Sequence, residues 1–178
     1  MELSKANNIR FNKEDVKLIK IDGYIIYTGK NLFDVEAFVA DWNSKANDYA
    51  KKVMVDGEVI LEVCDGPALW KKEKGFPIRV EQGKKYVFSF DCRSIDGSTT
   101  NGIFCLRSGD SQYYPACKTT TWSHNSVPIT AEEDYIYVCS GYNNNLQYYV
   151  KNIRLELASE QEVLYLNYNQ NYTIRVDQ

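Results

Sequence analysis

Tyr148-Tyr-Val-Lys-Asn-Ile-Arg-Leu-Glu-Leu157 is the stretch whose reading decides the fold. From Ile153 onward apolar and charged residues alternate, Ile153, Leu155 and Leu157 against Arg154 and Glu156. A period of two belongs to a strand with one buried and one solvated face. The β-branched and aromatic content of the segment supports the same reading. Tyr86 to Arg93 alternates in the same way, with Tyr86, Phe88, Phe90 and Cys92 set for a core and Val87, Ser89, Asp91 and Arg93 for the other face.

Outward from these two strands the chain is punctuated at short intervals. Val16–Ile21 and Tyr24–Thr28 are apolar runs joined by Asp22-Gly23, a pair suited to a type I′ turn because both central residues need positive φ. Val35, Phe38, Val39, Trp42, Ala46 and Tyr49 form an amphipathic stripe, and Asp34 stands where a helix cap belongs. Asn43, Ser44 and Asn47 weaken the second half of that helix, which is expected to fray. Val53–Val63 reads as two short strands around Asp56-Gly57 or one strand with a bulge there, and Asp65-Gly66-Pro67 breaks the chain. Residues 68–76 read as a loop with Trp70 among lysines, followed by strands at Phe76–Val80, Ile103–Arg107 and Tyr135–Ser140. Ser111–Asn125 is the longest stretch with little strand character and is expected to be a loop that carries a weak, calcium-independent glycan site. Many short strands with turns about every ten residues indicate an all-β antiparallel sandwich with one short helix near the N-terminus.

Composition narrows the function classes. The chain has 178 residues, 44% of them hydrophobic, enough for one main domain with a core. Its formal net charge of −3 gives no electrostatic case for nucleic acid. No apolar run is long enough to span a bilayer, and Met1–Asn8 has no apolar stretch like a secretion signal. The chain reads as soluble and unexported by the usual route. The five cysteines, Cys64, Cys92, Cys105, Cys117 and Cys139, form no Cys-x-x-Cys pair, and His124 is the single histidine. A structural zinc site lacks its spacing, and the thiols are expected to be reduced and buried.

The strands Gly83–Asp91 and Val150–Leu157, "GKKYVFSFD" and "VKNIRLEL", resemble those of galactose-binding-like jelly rolls found among carbohydrate-binding modules. "GKNLFD" at Gly29–Asp34 and the Tyr-rich exit Tyr165–Val176 resemble a module of phage tail proteins, although Leu166-Asn-Tyr-Asn169 departs from the turn usual at that exit. The resemblance implies a jelly roll over 30–158, flanked by an N-terminal hairpin segment 1–29 and a C-terminal strand segment 159–178. An isolated hairpin buries too little to stand alone, so the two terminal segments are expected to pair as a small flanking sheet. The function implied is non-catalytic attachment to a bacterial surface glycan, within a virion tail and beside other tail proteins or copies of the same chain. Two alternatives are a structural tail module without ligand and an accessory carbohydrate-binding module of a bacterial surface enzyme. Such jelly rolls often hold a structural calcium ion near the closing strand, where Glu156 with Asp34 or Asp56 would supply oxygens.

No nucleophile, base and orienter set is visible in the sequence, and no metalloprotease or phosphate-cradling motif. Glycan sites combine exposed aromatic platforms with hydrogen-bonding side chains, because sugar rings carry apolar C–H faces and hydroxyl rims. The candidates of that kind are Tyr113, Tyr114, Trp122, His124 and Tyr142 in loops or at strand ends, with Arg93, Arg107 and Arg154 on solvated sheet faces. The competing reading is edge packing for the aromatics and an ordinary charged surface for the arginines.

Overall fold

The structure, a computed structural model, describes residues 8–11, 14–21, 24–28, 30–100, 102–142 and 146–158, with side chains from residue 30 onward. The chain divides into two compact units, and Asn31–Glu156 is the larger.

In the N-terminal unit three strands form one antiparallel sheet, β1 (Asn8–Phe11), β2 (Glu14–Ile21) and β3 (Tyr24–Thr28), in that order. Ile21 pairs with Tyr24, which leaves the two-residue connection expected for the hairpin. The turn itself, Asp22-Gly23, lies outside the described residues. The sequence reading left β1 unassigned, since four mixed residues carry no period. Its pairing, Asn8 with Lys17 through Phe11 with Glu14, gives the hairpin a third strand. The C-terminal segment expected beside it, 159–178, lies outside the described residues.

The larger unit opens on helix α1 (Val35–Lys45), where Asp34 Oδ1 accepts from the Ala37 amide at 3.0 Å. The helix stops at Lys45 for a local reason. The Asn43 carboxamide donates to the Ala50 carbonyl at 2.6 Å and accepts from the Ala50 amide at 3.2 Å, so the weak half of the helix is spent on starting a strand.

Nine strands follow: β4 (Ala50–Val55), β5 (Glu58–Asp65), β6 (Phe76–Arg79), β7 (Lys85–Ser94), β8 (Phe104–Ser108), β9 (Ser111–Tyr113), β10 (Ser123–Thr130), β11 (Tyr135–Ser140) and β12 (Leu146–Leu157). They make a five-stranded sheet, β10-β7-β12-β5-β4, and a four-stranded sheet, β6-β11-β8-β9. The unit is an all-β antiparallel jelly-roll sandwich. Its core is aromatic. Phe104 lies 5.2 Å from Phe90, 5.7 Å from Phe88 and 6.0 Å from Trp42, ring to ring. Phe38 and Trp42 bring the helix stripe into the same cluster, and the Trp42 indole donates to the Val138 carbonyl at 3.3 Å.

β10 corrects the loop expected at Ser111–Asn125. Ser123, Asn125, Val127 and Ile129 pair with Cys92, Phe90, Phe88 and Tyr86, so the strand alternates, but half of its inward set is polar. Pro128 sits in this edge strand, where a missing N–H costs no ladder bond on the open side.

β12 changes parity midway. Tyr148 and Val150 are buried, and so are Ile153 and Leu155. The extra residue is taken up where Asn152 adopts a left-handed φ of 54°, as in a β-bulge. Pairing with β5 ends at Val150–Leu61. Beyond the bulge the partner is the segment entering the unit: the Leu32 amide donates to the Leu155 carbonyl at 2.8 Å. The Asn31 side chain donates to the Ile153 carbonyl and accepts from the Leu155 amide, both at 3.0 Å.

Candidate functional site

The sandwich has two outer faces, and the sequence-predicted residues divide between them. On the five-stranded sheet, inward positions of β7 fix Asp91 and Arg93 as outward-facing, and the register places His124 opposite Asp91. His124 Nδ1 is 2.8 Å from Asp91 Oδ1, and the Asn152 amide donates to Asp91 Oδ2 at 2.6 Å. Trp122 precedes β10. Its ring centre lies 5.1 Å from the Arg93 guanidinium and 4.6 Å from the Lys151 ammonium, and Arg93 also lies 5.2 Å from the Tyr149 ring. Each cation here has a carboxylate. Arg93 meets Asp56 at 3.6 Å, Lys151 meets Glu58 at 2.6 Å, and Arg154 Nε donates to Glu156 at 2.9 Å.

Asp34, Asp56 and Glu156, considered for calcium, thus serve a helix cap, Arg93 and Arg154 respectively. Among the described residues no group of three or more His, Cys, Asp or Glu side chains is placed to hold a metal ion.

The four-stranded sheet presents a different surface. Phe104, Leu106 and Ser108 of β8 point inward, which turns Cys105 and Arg107 outward. The register sets Arg107 between Tyr137 of β11 and Gln112 of β9, and Cys105 opposite Cys139. Over this face folds the segment between β5 and β6, two single-turn 3-10 helices at Pro67–Leu69 and Lys72–Lys74. It lays the Trp70 ring 4.5 Å from the Arg107 guanidinium, and the Tyr142 ring meets Trp70 edge-on at 5.2 Å. Lys72 stands 5.2 Å over the Tyr137 ring and pairs with Glu133. Gly75 allows the approach: a Cβ there would lie 2.5 Å from Cys139 Sγ and 3.1 Å from Tyr137 Cβ.

Tyr114 closes the other side of this face. Tyr114 is exposed, and its hydroxyl donates to the Gln112 carboxamide oxygen. Partial burial, and then the nearby Cys105 thiol, raises the phenol above its ordinary value. Beneath the rings Cys105 and Cys139 are fully buried and unbridged. Burial pushes the Cys139 thiol up to about 12 and raises Cys105 as well, so both are neutral thiols near pH 7. The floor of the surface is two neutral thiols with the Arg107 guanidinium beside them.

Tyr113 joins neither face. It pairs with Leu106 on the inward side of β9, and its hydroxyl accepts from the Thr130 amide at 3.5 Å. Of the candidates, Trp122, His124, Arg93 and Arg154 therefore share the five-stranded face, while Tyr114, Tyr142 and Arg107 share the other. Trp70 and Tyr137 were not among the candidates, although an isolated Trp in a Lys-rich loop was visible as a signal. A cavity of about 230 Å³ lies at the β12 bulge, away from the four-stranded face, lined by Val35, Val59, Ile60 and Ile153 and by Glu58, Lys151 and Asn152 of the five-stranded face.

No protein-family model and no curated protein matches the sequence. Among solved structures the chain is similar to the CBM22-1 xylan-binding domain from Paenibacillus barcinonensis Xyn10C. That likeness has 12% identity, covers 61% of this chain and 80% of that one, and has a TM-score of 0.43. It is also similar to the C-terminal family 22 carbohydrate binding module of Clostridium thermocellum Xyn10B, at 19% identity over 64% and 85% of the two chains, TM-score 0.43. A CBM4 structure is similar at 13% identity over 72% and 94%, TM-score 0.40.

Proposed function

We propose that the Asn31–Glu156 unit is a non-catalytic glycan-binding module, and that it binds through the outer face of the four-stranded sheet. The observation that carries this reading is where exposed rings gather. Tyr142 is 65% exposed, Tyr114 48% and Tyr135 39%, and all three lie on the side of this sheet together with Trp70. Rings left open to water cost apolar exposure in the free protein, and a sugar's C–H face removes it. Gln112, Arg107 and Lys72 stand among them as hydrogen-bonding groups for the hydroxyl rim. Tyr and Trp lose little side-chain entropy on binding. One or two stacked rings with a few hydrogen bonds correspond to roughly millimolar to high micromolar dissociation constants.

Affinity electrophoresis through gels containing xylan, β-glucan, mannan or bacterial cell-wall polysaccharide tests the reading. Tyr142→Ala should remove the retardation seen with the bound polymer and leave the melting temperature unchanged. Retardation that survives both Tyr142→Ala and Trp70→Ala would place the binding surface elsewhere.

The finer reading, attachment of a phage tail to a host surface glycan, rests on the sequence resemblance at Gly29–Asp34 and Val150–Glu156. A weak single site suits that setting, where repeated copies raise effective concentration. An accessory module of a bacterial surface enzyme would use the same face. Retention on purified bacterial cell walls favours the first, and retention on plant-type polysaccharide alone favours the second.

A further inference from the structure

We propose that the four-stranded face takes a sugar bearing a carboxylate, a uronic acid unit of an acidic polysaccharide, with Arg107 as its counter-charge. This rests on the reading of that face as a glycan site. Among the described residues, Arg107 is a half-buried cation with no carboxylate beside it. Its Nε and Nη2 are buried without a hydrogen bond to any oxygen, and the Cys105 and Cys139 thiols are what lie against the guanidinium. Its neighbours are the Trp70 ring, Tyr137, Gln112 and the thiols of Cys105 and Cys139, none of which carries negative charge at neutral pH.

Other half-buried cations of the unit are matched. Lys72 has Glu133, Lys45 has Asp41 and Lys151 has Glu58, and Arg93, whose Nε is likewise buried without a hydrogen bond, still has the Asp56 carboxylate at 3.6 Å. Glu133 is taken up by Lys72 and the Gly109 amide, which hold it below the usual carboxylate range. Lys71 and Lys74, exposed on the loop that carries Trp70, add positive charge at the rim.

A cation held away from water without a counter-ion is costly, and an incoming anion relieves that cost. The full positive charge of a guanidinium favours a carboxylate over a neutral hydroxyl. Trp70 and Tyr142 beside it supply the apolar contact a sugar ring needs, so acid group and ring can be held together. A neutral hydroxyl would gain the stacking and leave the charge as it was.

Calorimetric titration of the full chain with trigalacturonic acid, with its carboxyl-reduced neutral trimer and with a glycerol phosphate oligomer tests the proposal. The acidic trimer should bind about tenfold more tightly than the neutral one, the effect expected for one charge-assisted contact. The ratio should shrink as salt is raised. Arg107→Gln should bring the ratio to one, weakening the acidic trimer about tenfold more than the neutral one, and Arg107→Lys should recover only part of the ratio. If Arg107→Gln does not fold, the ratio and its salt dependence in the unaltered protein decide. Equal affinity for the two trimers, both weakened by Tyr142→Ala, overturns the acidic preference and keeps the glycan site. Binding insensitive to Tyr142→Ala overturns the site itself. Binding of the glycerol phosphate oligomer alone overturns the carboxylate assignment.

Discussion

The two outer faces of the sandwich carry similar residues and use them in opposite ways. On the five-stranded sheet, Trp122 has two cations against its ring, and those cations hold Asp56 and Glu58 in turn. On the four-stranded sheet, Trp70 has one cation against it, that cation has no carboxylate, and the neighbouring tyrosines are open to water. An aromatic ring beside an arginine is thus no guide to binding by itself. What separates a surface that closes on itself from one that can take a ligand is whether charges and ring faces are already matched.

The comparison can be broken at several points. The largest effect is expected where the faces share support. Phe104→Ala removes a fully buried ring that touches four other rings of the core. It should cost about 3–5 kcal/mol in urea denaturation and weaken both faces together. A variant of unchanged stability would mean the core is not shared.

Gly75→Ala acts on one face only. The added methyl would collide with Cys139 Sγ and Tyr137 Cβ, lifting the loop that carries Trp70. A cost of about 1–3 kcal/mol is expected, with loss of glycan retention and with the Trp122 face undisturbed by tryptophan fluorescence or NMR.

Alkaline pH probes the buried thiols of both faces. Burial pushes Cys64 up to about 11 and Cys139 up to about 12. An unfolded chain releases these protons first, at the ordinary thiol value, so the folded state binds more protons above it. Their contribution is whole below about pH 9 and is lost as pH rises, by about 1.4 kcal/mol per pH unit for each thiol at most. Melting temperature should fall from pH 9 upward. Cys139→Ala should flatten the slope by the four-stranded face's share and Cys64→Ala by the other's, and a slope unchanged by either replacement would contradict the burial of that thiol.

The smallest effect is expected from Trp122→Ala. Losing its cation contacts should cost about 1 kcal/mol and leave glycan affinity as it was. Loss of binding in a variant that keeps its fold would reverse the roles assigned to the two faces.

Much of the sandwich was legible because its central strands keep a clean period. β7 and β12 sit in the middle of the five-stranded sheet, where one side must be apolar. β10 was not legible, because an edge strand with Ser123 and Asn125 on its inward side meets only one neighbour and is half polar. Asn152 hid the parity change in β12, since one extra residue makes Val150 and Ile153 look out of phase until the backbone shows the bulge. For the site, Tyr114 and Tyr142 could be picked as exposed rings near strand ends. Trp70 and Arg107 could not be joined on paper. Their contact depends on β8 lying beneath a loop that begins some forty residues earlier, and on Gly75 letting that loop approach.

The hydrogen bonds between Asn31–Leu32 and Ile153–Leu155 tie the entrance of the sandwich to its exit. Under tension this becomes a mechanical fuse. A pull between the two ends loads these few bonds one after another, like a zipper, and they yield at low force. The load then passes the Asn152 bulge to the part of β12 that lies between β7 and β5, which cannot be peeled without breaking pairs on both sides. A module tethered at its two ends would lengthen a little under a sudden pull and then hold, with its outer faces still in place.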